Sequence, residues 1–178
     1  MGEGVRNPMI ARVFSAQPSV LGAHIVTIET DLSRGLYSFS VVGLPDKAVE
    51  EARDRMSAAI KNTGFESPKG TNHKIIISLA PADLRKEGPL FDLPIAIGVL
   101  AASEQLLNKE AIEKYVIMGE LSLDGELRSI KGALPIAIQA RKEEFKGLIL
   151  PKVNAKEAGM VNNLNVYGVE NIKDTLAQ

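Results

Sequence analysis

At 178 residues, with 45% hydrophobic and 24% charged side chains, the chain is long enough for one soluble domain that buries roughly 70% of its unfolded surface. A formal net charge of −1 gives no electrostatic case for nucleic-acid binding by the chain as a whole, so only local basic loops qualify. The absence of cysteine excludes disulfides, thiolate zinc sites and a cysteine nucleophile; two lone histidines, His24 and His73, exclude a histidine-rich metal site.

The opening MGEGVRNP is short and polar and lacks the apolar run of a signal peptide, so residues 1–8 are expected to be a disordered start or a tag remnant. No stretch reaches 18 apolar residues, which predicts no membrane span and a cytoplasmic setting. Met9 to Ala16, Leu21 to Thr30 and Tyr37 to Val42 read as strands joined by short connections, which predicts an antiparallel meander. The period then changes. Ala48, Val49, Ala52, Met56, Ala59 and Ile60 recur at helical spacing, opened by Pro45-Asp46 and stopped by Gly64. Glu51 and Arg55, four apart on the opposite face, read as a solvated pair.

The segment KIIISLAPADLRKEGPLFDLPIAIGVLAAS, residues 74–103, organises the rest. Lys74 to Leu79 is a strand, Ala80 to Gly88 a charged loop with Asp83, Arg85, Lys86 and Glu87, and Pro89 to Ala102 an apolar helix. A helix apolar on every side must be buried on every side; Asp92 is placed to cap it and Pro94 fits its first turn. A short helix follows within Glu104 to Lys114, then a strand from Tyr115 to Leu123, a turn at Asp124-Gly125 and a returning strand from Glu126 to Ile130. Gly132 to Glu144 is helical, Gly147 to Leu150 a buried strand, Asn154 to Val161 a helix, Asn165 to Val169 a last strand and Asn171 to Leu176 a terminal helical turn. The pentapeptide LPIAI opens two of these helices, at residues 93–97 and 134–138. The order predicts a single α+β or mixed α/β domain over residues 9–178.

Nucleotide chemistry has no visible seat here. No Gly-Lys-Ser/Thr occurs, Gly2-Glu3-Gly4 lacks a third glycine and a preceding strand, and there is no Gly-x-Ser-x-Gly elbow. No Asp/Glu cluster has metal-ligand spacing.

Three long segments carry a resemblance: VVGLPDKAVEEARDRMSAAIKNTGFE, SLAPADLRKEGPLFDLPIAIGVLAA and GELSLDGELRSIKGALPIA. In order and spacing they resemble the N-terminal domain of the ComM/YifB family of magnesium-chelatase-like AAA+ ATPases, from Met9 onward. Lys86 to Ala96 and Gly119 to Asn154 are also similar to the proteolytic domain of Lon proteases. The resemblance implies an α+β fold like ribosomal protein S5 domain 2. It implies a longer protein in which an AAA+ module, absent from this chain, binds ATP and Mg and forms a hexameric motor associated with DNA branch migration. On this reading the chain is an excised N-terminal domain with no cofactor and no small-molecule substrate of its own. Its expected partners are its own AAA+ module, neighbouring subunits and DNA.

The Lon comparison places the serine nucleophile at Leu90 and the catalytic lysine at Leu134. A Ser-Lys dyad needs a hydroxyl to attack and an amine to take its proton, and leucine supplies neither. Ser129 and Lys131, two apart, form a displaced pair that reads either as a substitute dyad or, more simply, as the polar edge of a hairpin. Arg85 and Lys86, with Lys69 and Lys74 and with Arg128 and Lys131, could contact phosphates or a partner if they converge; the plainer alternative is solvated loops neutralised by Asp83, Glu87 and Glu126. With 4% aromatic residues, base stacking is disfavoured. Three functions therefore compete. The chain is a non-catalytic accessory domain aiding ring assembly or DNA engagement, a pure oligomerisation or protein-docking domain, or a Ser-Lys peptidase.

Overall fold

A computed structural model describes residues 9–106 and 108–177; the expectation for residues 1–8 lies outside them. Strands β1 (Met9–Ser19) and β2 (Gly22–Arg34) form a long antiparallel hairpin in register from Met9↔Leu32 to Ser19↔Gly22. Alternation turns Ala11, Val13, Val26, Ile28 and Leu32 into the core. After β3 (Ser38–Val42), helices α1 (Lys47–Glu50) and α2 (Ala52–Asn62) lead to β4 (His73–Ala80).

The meander is corrected here. Strand β4 lies between β2 and β3, antiparallel to β2 and parallel to β3. The two-helix crossover between β3 and β4 is long enough for a parallel return, and β4 carries the stronger apolar alternation. Its Ile75, Ile77 and Leu79 are buried, whereas β3 has no fully buried residue. The aliphatic strand takes the interior and β3 becomes an edge.

A 3-10 turn (Pro89–Phe91) leads into α3 (Asp92–Ala102), and then come α4 (Lys109–Ile112), β5 (Tyr115–Ile117), β6 (Glu120–Leu121) and β7 (Leu127–Arg128). The chain ends with α5 (Ala133–Lys142), β8 (Gly147–Pro151), a second 3-10 turn (Lys152–Asn154), α6 (Ala155–Ala158), β9 (Asn165–Val169) and α7 (Ile172–Leu176). The main sheet runs β3-β4-β2-β1-β5-β8-β9, parallel except at the two pairs made by β2, and β6-β7 form a separate ribbon. The domain is mixed α/β, with a mostly parallel sheet.

Helix α3 is buried at every residue, held between β1 and β2 on one side and α2 on the other. Each of its large aliphatic side chains contributes about 1.5–3 kcal/mol by leaving water. Asp92 does not cap it. The 3-10 turn has already turned the chain, so Asp92 is the first helical residue and its carboxylate is free to pair elsewhere. The expected strand from Tyr115 to Leu123 is broken at Gly119. There the amide donates to the Leu90 carbonyl at 2.8 Å and the carbonyl accepts from Leu93 N at 3.0 Å, turning the backbone off the sheet and onto the start of α3. A Cβ at Gly119 would come within 2.9 Å of Leu127 Cδ2. The helices expected over residues 104–114 and 154–161 shrink to single turns. No helix among the described residues is long and apolar enough to cross a membrane.

Candidate functional site

A cleft of about 340 Å³ opens where the chain turns into α3. Its floor is Leu90 in the 3-10 turn, with Pro89 and Ile130; Glu87 and Gly88, Gln17 and Pro18, and Glu120, Ser129 and Lys131 form its walls. Gly88 has φ +85, a left-handed geometry that favours glycine, and its amide donates to Asp46 Oδ2 at 3.1 Å. Gln17 fixes the charged loop from the hairpin side. Its Nε2 donates to the Arg85 carbonyl and its Oε1 accepts from Glu87 N, both at 2.7 Å. Buried Asn154 fixes the facing wall in the same way, accepting from Ile130 N at 3.0 Å and donating to its carbonyl at 2.9 Å. Two amide side chains thus hold the cleft open from opposite sides.

Leu90 lines this cleft and is 8% exposed. Leu134, at the start of α5, is half-buried and is not among the lining residues; its amide donates to Glu157 Oε1 at 3.2 Å. The two former dyad positions therefore do not seal into a common core, and a polar-walled cleft survives beside Leu90. Ser129 and Lys131 both face it and both are exposed, yet no hydrogen bond joins them among the described residues.

The basic residues do not converge. Lys86, expected on the loop surface, is fully buried, its ammonium donating to the Gly43 carbonyl at 2.7 Å and to the Pro81 carbonyl. Its backbone is tied to Leu44 and Asp46 at 2.9 Å each. Burial pushes the Lys86 amine below its ordinary range, opposed by the Asp83 charge. Lys74 starts β4 and Lys69 precedes it, whereas Arg85 follows the other end of that strand. Six residues of strand put those ends about 20 Å apart. Arg85, Arg128 and Lys131 remain near the cleft and exposed, among carboxylates: Arg85 pairs with Glu87 at 3.8 Å, and Arg128 stands opposite Glu120 in the ribbon.

Beneath the cleft lies a pair that the sequence reading divided. Arg55 is not a solvated partner of Glu51 alone. It donates to fully buried Asp92 at 2.7 and 3.0 Å, while Glu51 sits at 3.5 Å. Asp92 also accepts from Leu121 N at 3.1 Å, tying α2, α3 and the ribbon together. Desolvation raises the Asp92 carboxyl above its ordinary value, against the hydrogen bonds from Arg55 and Leu121. A lone carboxylate within an apolar run signals a buried cation partner, and Arg55 faces the right way on α2 to be one. Gln17 and Asn154 carry no comparable signal.

A mixed α/β domain with a leucine-floored cleft at the start of its central buried helix is the class that fold and site define. The chain belongs to the family described as subunit ChlI of Mg-chelatase, whose pattern matches residues 28–154. The chain is 42% identical over 167 residues to competence protein ComM of Haemophilus influenzae, covering 94% of this chain and 32% of that protein. It is 48% identical over 137 residues to YifB of Escherichia coli K12, covering 77% and 26%. A weaker likeness, 24% over 166 residues, reaches the Lon protease of Aster yellows witches'-broom phytoplasma, covering 88% and 21%. The chain thus spans about a third or less of the length of these relatives.

Proposed function

We propose that this chain is a non-catalytic accessory domain of a ComM-type, magnesium-chelatase-like AAA+ ATPase, built on an S5 domain 2-like framework shared with Lon. It assists the motor by docking protein segments during ring assembly. ATP and Mg belong to the ATPase module of the longer protein. The observation that carries this reading is the cleft itself: it persists at the Lon-type position, but its floor is Leu90 where a nucleophile would stand. A docking cleft keeps its shape and apolar floor without needing a hydroxyl or an amine.

Protein docking is favoured over DNA engagement by the scatter of the basic residues. Lys86 is buried, Lys69 and Lys74 lie at the far end of β4, and the three cations left by the cleft stand among Glu87, Glu120 and Asp124. The test uses the longer, ATPase-bearing protein. Filling the cleft with Ser129→Trp is expected to reduce ring formation in sedimentation, while Arg85→Glu with Lys131→Glu leaves DNA affinity within about twofold across a salt series. A steep loss of DNA affinity in the charge-reversed protein, with normal rings in Ser129→Trp, would replace docking with DNA engagement. Turnover of unfolded casein that is lost in Ser129→Ala would restore the peptidase.

A further inference from the structure

Strand β3 is an edge of the main sheet that carries none of the usual protections. From Leu36 to Pro45 the sequence LYSFSVVGLP has no charged residue, and β3 itself contains no proline. No element packs along its outer side: its one substantial neighbour is β4, and its outward N–H and C=O groups have no backbone partner among the described residues. The opposite edge is different. Strand β9 is overlaid by the Lys152–Asn154 turn, α6 and α7. An uncharged, uncovered edge of β-branched and aromatic residues is a template for another strand.

The pattern also names the strand that fits. About Ser40 the residues are arranged with two-fold symmetry: Ser38 and Val42 lie two positions either side on the exposed face, and Phe39 and Val41 one position either side on the half-buried face. The exposed leucines Leu36 and Leu44 lie four positions either side, and Arg34 and Asp46 six. We infer that β3 pairs antiparallel with β3 of a second copy of this chain, centred on Ser40, to make a two-fold dimer with a continuous sheet. In that register Phe39 meets Val41 twice, an aromatic-to-β-branched pairing favoured across strands. Leu36 comes beside the partner's Leu44, and Arg34, which has no ion-pair partner among the described residues, comes toward the partner's Asp46. A two-fold contact requires such self-complementarity, and the absence of charge at its centre avoids like-charge repulsion.

This inference does not rest on the proposed docking role and is tested on the 178-residue chain by sedimentation velocity over a dilution series. A monomer–dimer equilibrium is expected. Ser40→Lys, an exposed position, sets two ammonium groups opposite each other and is expected to weaken association at least about tenfold with circular dichroism unchanged. The register is tested by two double variants. Ser38→Glu with Val42→Lys places opposite charges across the axis and retains the dimer, whereas Ser38→Lys with Val42→Lys abolishes it. A chain monomeric at every concentration, leaving this edge to an extended segment of a different protein, would overturn the inference. So would a dimer indifferent to Ser40→Lys, or one that treats the two double variants alike.

Discussion

The pentapeptide LPIAI occurs in two places with two fates. At residues 93–97, in α3, every member is buried; at 134–138, opening α5, Leu134 and Pro135 are half-buried and Ile138 is 39% exposed. The local sequence is identical, so the difference comes from what lies on the outer side. Helix α3 is covered by α2 and anchored by Arg55 on Asp92, whereas α5 rests on the sheet with its far face in water. Burial here belongs to the layer, not to the pentapeptide.

The strongest blow to that contrast is Arg55→Ala. It leaves the Asp92 carboxylate buried without its cation, and unfolding in urea should show a loss of about 3–5 kcal/mol at neutral pH. Burial already raises Asp92, and removing Arg55 raises it further. The loss should therefore shrink as pH falls and Asp92 takes up a proton. Next come Ile97→Ala and Ile138→Ala, the fifth residue of each copy. The first should cost about 2–5 kcal/mol and the second less than about 0.5 kcal/mol; equal costs would erase the distinction between the two helices.

Lys86→Met probes the wall beside α3. Two buried carbonyls lose their donor, which should cost about 1–3 kcal/mol. The folded amine sits below the ordinary lysine value of 10.5, so between those limits the unfolded chain binds more protons and stability rises with pH. That contribution is complete above the unfolded value and is lost as pH falls through the folded one. The substitution should flatten this slope in urea midpoints measured from neutral to alkaline pH. The smallest change is Glu51→Ala. Its half-exposed carboxylate, 3.5 Å from Arg55, should contribute about 0.3–0.5 kcal/mol and less in high salt, readable as a small shift in thermal midpoint.

Much of this architecture is legible in the residues, because aliphatic periodicity reports burial directly. The hairpin, β4, α3 and the strand at Gly147–Pro151 all announce themselves this way. The order of strands does not. Whether β3 pairs with β2 or β4 depends on the reach of the α1–α2 crossover, which no local pattern encodes. At the cleft, Leu90 follows from the family pattern, but the state of Lys86 does not. A lysine in a charged run reads as solvated, and its burial depends on carbonyls brought in from Gly43 and Pro81. Asp92 misleads for a related reason: an acidic residue at a helix start reads as a cap until the preceding 3-10 turn removes that need.

Strand β1 pairs with β2 along its length but meets β5 at the single position Phe14↔Val116, where Phe14 also packs edge-on against Phe145 at 5.2 Å. During synthesis, residues through Ala102 can assemble β3, β4, β2 and β1 around α3 while the remaining third of the polypeptide is still on the ribosome. The later strands β5, β8 and β9 must then find a place beside the first strand made. Vectorial folding of this protein thus ends where it began, at a narrow seam between an early half and a late one.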